Sequence, residues 1–180
     1  FLVDTVIGFY TLIVLLRFLL QLIRADFYNP VSQFIVKVTN PPLVRLRRII
    51  PGFRGVDIAA LVLLLILEGF RLGLTALMMG HRPQISGILL LSIAELLKLT
   101  VYVAVFSIFV RALLSWISTG GSHPMIRLVG SFTEPLLAPV RRLLPTGAGL
   151  DLSPIVVFIV LMLVLKLLVQ PLLDLGKVMI

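Results

Sequence analysis

Two arginine pairs, each followed by an aspartate, carry most of the chemistry this sequence offers. Arg47 and Arg48 stand ahead of Asp57, and Arg141 and Arg142 stand ahead of Asp151. A guanidinium is a planar fork of N–H donors that matches a carboxylate or a phosphate. Three roles therefore fit: a structural ion pair that closes a hairpin, a cradle for lipid phosphates, or a docking surface for a partner. Pro51 and Pro145 follow the two pairs, with Gly55 and Gly149 four residues further on. A second set of charges lies inside apolar runs: Arg17, Glu68 and Arg111. A charge at membrane depth costs roughly 2.5–3.5 kcal/mol on insertion scales, so each needs a partner, a proton or a route to the surface.

Depth sorts this second set. Arg17 and Arg111 lie about 10 Å from the ends of their helices at the helical rise, within reach of headgroups or of nearby carbonyls. Glu68 lies about 16 Å in, near the midplane. Arg17 matches it best in depth, and Arg71 follows it at i+3 on the same helix face. Glu95 and Lys98 are a further i, i+3 pair, and Lys166 is expected to reach outward. His81 and His123 fall in different connections and make no joint metal site. Gly120-Gly121-Ser122 reads as a turn, since no lysine or helix start of the phosphate-loop type follows. Gly69-x-x-x-Gly73 offers a small face for close helix approach. No Ser/His/Asp or paired-carboxylate arrangement is visible, and the sequence points to no enzyme, no cofactor and no metal.

The motif residues occur twice at one offset. Thr39, Pro41, Leu43, Arg47, Arg48, Pro51, Gly55 and Asp57 recur 94 positions later as Thr133, Pro135, Leu137, Arg141, Arg142, Pro145, Gly149 and Asp151. Arg17, Leu19, Leu20 and Pro30 pair with Arg111, Leu113, Leu114 and Pro124 at the same offset. A fixed period in a short chain means one structural unit used twice. Hydrophobic residues make up 59% and charged residues 13%, against roughly 25% charged in a soluble domain. Lipid is therefore the solvent for most of the chain. Cysteine is absent, which removes disulfides, thiolate metal sites and thiol nucleophiles. The net charge of +8 sits mainly between the apolar runs, where orientation and anionic lipid explain it better than nucleic acid does.

Four segments are long and apolar enough to span: 3–23, 58–79, 96–117 and 154–173. Residues 85–95 are extra to the repeat and read as an interfacial extension or the outer end of a long tilted helix. Asp151 or Ser153 can cap the fourth span, with Pro154 in its first turn. The first run is read as a retained span rather than a signal peptide, and the start at Phe1 rather than methionine predicts residues before it. The connections 24–57 and 118–153 are too apolar for plain loops. Each reads as two short amphipathic helices lying in the interface and joined at proline, with a shallow re-entrant hairpin as the alternative. Nine Lys and Arg fall in these connections, which predicts them to be cytoplasmic and both termini periplasmic. The fold expected is an all-α polytopic membrane protein: two tandem, parallel two-span hairpin repeats, four transmembrane helices in all, with amphipathic interfacial helices. The repeats take 1–80 and 97–180, with 81–96 as an outer turn and helix extension.

The run from Thr133 through Glu134, Pro135, Pro139, Arg141, Arg142 and Pro145 to Gly149, Asp151, Ser153 and Pro154 resembles the YggT/YlmG family of small bacterial and plastid membrane proteins. The first copy, from Thr39 to Asp57, is similar, but Ala59 and Ala60 stand in place of Ser153 and Pro154. The resemblance covers nearly the whole chain. It implies roles in cell division, osmotic stress tolerance, nucleoid and thylakoid organisation, and haem attachment to a plastid cytochrome b. Together these imply a non-enzymatic accessory, assembly or scaffold factor of the bacterial plasma membrane. Its expected partners are anionic lipid headgroups and a further membrane protein or complex, without direct contact to nucleic acid. The alternative, resting on Glu68 and the arginines within the spans, is a small ion or solute conductor. A haem-handling factor is implied by the plastid relatives alone.

Overall fold

The computed structural model describes residues 1–25, 28–81, 83–117, 124–143 and 151–179. The chain order is α1 (Leu2–Leu22), α2 (Pro30–Ile49), α3 (Ile58–Met78), α4 (Ile85–Ile117), α5 (Pro124–Leu143), α6 (Ser153–Val164), a π-helical turn (Leu165–Val169) and α7 (Gln170–Val178). Four stretches are long and apolar enough to cross a membrane: Leu2–Leu22, Ile58–Met78, Ile85–Ser115 and Ser153–Val178. Residues 85–95 belong to one continuous helix of 33 residues with the third span, which selects the long helix over a separate interfacial piece. At 1.5 Å per residue it is about 50 Å long, more than the ~30 Å hydrocarbon core.

Local signals set the ends of these helices. The Asn29 side chain accepts from the Val31 N–H at 2.9 Å, and Pro30 opens α2 where its missing donor costs nothing. Asp57 caps α3 by accepting from the Ala60 N–H at 3.2 Å. Between α2 and α3 a two-residue turn joins Phe53 to Val56, with N–H to carbonyl distances of 3.1 and 2.9 Å. Arg54 and Gly55 both have positive φ there, 49° and 85°. Such a turn requires φ above zero at both central residues, which explains Gly55 in the motif.

The expectation that proline breaks each connection is corrected. Pro41 and Pro42 lie inside a continuous α2, and Pro135 and Pro139 inside a continuous α5. A proline within a helix removes the bond to the carbonyl four residues back. For Pro42 that carbonyl belongs to Val38, and the Tyr10 hydroxyl of α1 approaches it at 3.5 Å. A neighbouring span thus compensates the helix. The π turn precedes Pro171, and the Gln170 N–H reaches back to the Leu165 carbonyl.

The core joins Val14 and Leu15 of α1, Leu43 of α2, Leu63 and Leu64 of α3, and Val103 of α4. In α2 the buried residues are Ser32, Ile35, Thr39 and Leu43, one helical stripe. Lys37, Arg45 and Arg48 are exposed. Phe9, Phe70, Phe106 and Phe158 face outward from the spans, as expected where lipid is the solvent.

Glycines mark the close crossings. A Cβ on Gly69 or Gly73 would stand 3.5 or 3.4 Å from the Ile88 side chain of α4, ordinary contact, so this small face does meet a helix. The tighter approaches lie elsewhere: a Cβ on Gly87 would stand 2.8 Å from the Met179 carbonyl oxygen, and one on Gly176 would stand 3.1 Å from Leu91 side-chain carbons. Gly130 has open space around it. Gly87→Val should therefore lower stability by about 1–3 kcal/mol through overpacking. Gly130→Ala should raise it by up to about 1 kcal/mol, since a helical glycine costs chain entropy. Reversible unfolding in mixed detergent micelles measures both.

Candidate functional site

The arginines inside the spans define the site from within. Arg17 of α1 is only 5% exposed. Its Nη1 reaches three acceptors on α2: the Val36 carbonyl at 3.1 Å, Thr39 Oγ1 at 2.7 Å and Asn40 Oδ1 at 2.8 Å. Thr39 suits this position because its hydroxyl can accept and donate at once. It accepts from Arg17 and donates to the Ile35 carbonyl at 2.7 Å. In the second half Arg111 of α4 donates to Thr133 Oγ1 at 2.7 Å, and Thr133 donates to the Val129 carbonyl at 2.8 Å. Each arginine thus ties a connecting helix to a span. The third partner differs: Glu134 stands where the first half has Asn40, and its carboxylate meets Arg111 Nη2 at 2.9 Å.

The paired arginines divide their work. Arg47 pairs with Asp57 and also donates to Gln21 Oε1 at 3.3 Å. Asp57 is buried and caps α3 at the same time. Arg141 donates through Nε to Asp151 at 2.8 Å and through Nη1 to Glu134 at 3.1 Å. Asp151 accepts from the Ser153 N–H at 3.0 Å, at the start of α6. Arg48 and Arg142 are exposed, and neither forms an ion pair among the described residues. Only the first arginine of each pair thus serves as a clamp. Pro51 is exposed in the connection after α2. Pro145, Gly149, His123 and the Gly120–Ser122 turn lie outside the described residues.

Glu68 is buried at mid-span and pairs with Arg71 at i+3, not with Arg17, its closer match in depth. Arg17 is turned toward α2, where its Nη1 meets three acceptors. Asp4, near the start of α1, completes the group: its carboxylate lies 3.2 Å from Arg71 Nη1 and accepts from Thr75 at 3.4 Å. Lys98 and Glu95 pair at 2.7 Å. Lys166 and His81 are exposed. Among the described residues no group of three His, Cys, Asp or Glu could hold a metal ion. Sequence reasoning assigned no role to Thr39, Thr133, Asn40, Glu134 or Asp4. The identical threonines at the 94-residue offset were the available signal for the first two.

Residues 1–78 and 90–172 match the sequence profile described as CCB3/YggT. This chain belongs to the CCB3/YggT family. It is 46% identical over 166 residues to an uncharacterized protein of Pseudomonas aeruginosa, covering 91% of this chain and 84% of the relative. Against Escherichia coli K12 uncharacterized protein YggT, it is 39% identical over 163 residues, covering 89% and 84%. A Vibrio alginolyticus relative is 40% identical over 161 residues, covering 88% and 86%. No solved structure matches the chain. The profile covers the first two apolar helices and most of the third and fourth, so membership extends to the elements that hold the site.

The two clamps differ in burial, and this yields a test. Arg47→Ala leaves a buried Asp57 carboxylate without its cation, which should cost about 2–3 kcal/mol, moderated because Arg47 is itself about a third exposed. Arg141→Ala breaks a solvated network and should cost below about 1 kcal/mol. Urea or detergent unfolding of the two variants should rank them in that order.

Acid should act on the second half. Glu134 is held below the usual carboxylate range, first by the Arg111 hydrogen bond and then by the charges of Arg111 and Arg141. Asp151 is lowered too, first by hydrogen bonds from Ser153, with Arg141 adding to them. Carboxylates lowered on folding stabilise the fold above their unfolded pKa and lose that contribution as pH falls through the folded value. Melting temperature should therefore hold near neutrality and fall below roughly pH 4. In Glu134→Gln this acid limb should be shallower, as a pH series of thermal melts would reveal.

Proposed function

We propose that this protein is a non-enzymatic accessory or scaffold factor of the bacterial inner membrane. It docks anionic lipid and a membrane partner complex through the outward basic faces of α2 and α5. In this reading the chain is two tandem parallel hairpin units, with α2 and α5 lying along the cytoplasmic interface and both termini periplasmic. Positive-inside counting supports that orientation. The observation that carries the proposal is the division of labour within each arginine pair. Arg47 and Arg141 are engaged by Asp57 and Asp151, while Arg48 and Arg142 point away without an acidic partner among the described residues. A built clamp that presents a second, unpaired cation on an amphipathic helix suits binding rather than catalysis. The conductor reading would rest on a free carboxylate at mid-span, and Glu68 is bound by Arg71.

Arg48→Gln with Arg142→Gln should leave the melting temperature within a few degrees of the parent. The same variant should lose co-purification of any partner held in constant ratio when the tagged protein is isolated from native membranes in mild detergent. Unchanged partner recovery would point to a different docking surface. Flux in reconstituted vesicles that Glu68→Gln abolishes would instead favour the conductor.

A further inference from the structure

The two halves solve one electrostatic problem differently, and the difference marks a binding site. In the second half the Glu134 carboxylate bridges two arginines, at 2.9 Å from Arg111 and 3.1 Å from Arg141. With Asp151 on the other side of Arg141, two positive groups meet two negative ones. The corresponding arginines of the first half are Arg17 and Arg47, and the residue that corresponds to Glu134 is Asn40. An amide accepts one hydrogen bond from Arg17, at 2.8 Å, but brings no charge. Lys37 adds a third cation where the second half has Ser131. Asp57 is the only carboxylate among the described residues that is paired with these three cations.

These groups line one cleft. Arg17, Gln21, Gln33, Lys37, Asn40 and Arg47, with Val36, surround an open cleft of about 580 Å³ between α1 and α2. Arg17 is 5% exposed, and among the described residues no carboxylate lies within ion-pair distance of it. A buried cation in that state is stabilised by any anion that can reach it. Amide groups of Gln21, Gln33 and Asn40 supply N–H donors around the same opening. Arg17 and Gln21 lie in the last turns of the first span, within about 8 Å of its end at the helical rise. A long side chain at that depth can reach a phosphate at the headgroup level.

We propose that this cleft binds a phosphate group, that of an anionic phospholipid or free phosphate, at the place where Glu134 puts its carboxylate in the other half. The guanidinium forks of Arg17 and Arg47 match phosphate oxygens, and Lys37 closes the rim as a point charge. The site stands apart from the docking surface proposed above, because Arg48 and Arg142 do not line it.

Asn40→Glu tests this by supplying the carboxylate internally. The full chain in a neutral detergent would be titrated with inorganic phosphate, with phosphatidylglycerol, and with phosphatidylcholine as a zwitterionic control, and binding read from thermal melting and native mass spectrometry. The parent should melt several degrees higher with phosphatidylglycerol, with inorganic phosphate, or with both. A response to phosphatidylglycerol alone assigns the lipid, and a response to inorganic phosphate as well assigns the free anion. Asn40→Glu should melt higher than the parent without any addition and bind the same probe at least tenfold more weakly. Lys37→Gln alters only an exposed, unpaired side chain, so it should fold normally and bind severalfold more weakly. Arg48→Gln with Arg142→Gln, which alters the outer docking face, should weaken phosphatidylglycerol binding less than Asn40→Glu or Lys37→Gln does and leave inorganic phosphate binding as in the parent. A parent that responds to neither anion would overturn the proposal. So would Asn40→Glu and Lys37→Gln binding as the parent does, or equal weakening by the Arg48 and Arg142 changes.

Discussion

A guanidinium inside an apolar span must have its donors met, because no water is available to meet them. Arg17 and Arg111 impose this demand, and α2 and α5 answer it. Each connecting helix brings a threonine to the arginine, with the hydroxyl oriented by its own helix carbonyl. The connecting helices are thereby drawn onto the spans rather than left as free surface segments. Much else depends on that seating. Leu43, one turn after Thr39 on the same face, enters the core beside Val14 and Leu64. Arg47, two turns beyond Thr39, then reaches Asp57, which starts α3.

Charge is thus used sparingly and mostly in closed sets. Asp57 joins a helix cap to an ion pair, and Asp151 joins an ion pair to the Ser153 N–H at the start of α6. Asp4, Glu68 and Arg71 likewise form a linked set of charges. Charges that remain outside such sets are concentrated on the outer faces of α2 and α5 and in the cleft beside Arg17. The apolar surface of the spans is extensive, as a lipid solvent permits.

The four apolar helices were legible from the sequence because length and hydropathy alone decide them. The Arg47–Asp57 and Arg141–Asp151 pairings were legible as one reading among three, since equal spacing at both copies implied equal geometry. The unbroken course of α2 and α5 was not legible. Proline normally stops a helix, and in α2 the Tyr10 hydroxyl approaches the Val38 carbonyl that Pro42 leaves free. Depth counting also misled for Glu68. It matched Arg17 along the membrane normal, but a helix's rotation decides its partner, and Arg17 faces α2. Asp4 and the Glu134–Arg111 pair were missed for the same reason, because each carboxylate meets its arginine from a different helix.

The most direct test of this account is a distance between α1 and α2 in a bilayer. The chain has no cysteine, so spin labels at Val6→Cys and Gln33→Cys would report one pair without background. In nanodiscs the parent should give one narrow distance distribution. Arg17→Met should broaden it and shift it to longer distances as α2 leaves the span. If α2 stayed seated with Arg17 replaced, the arginine would not be what holds the connecting helix, and the account would fail at its base.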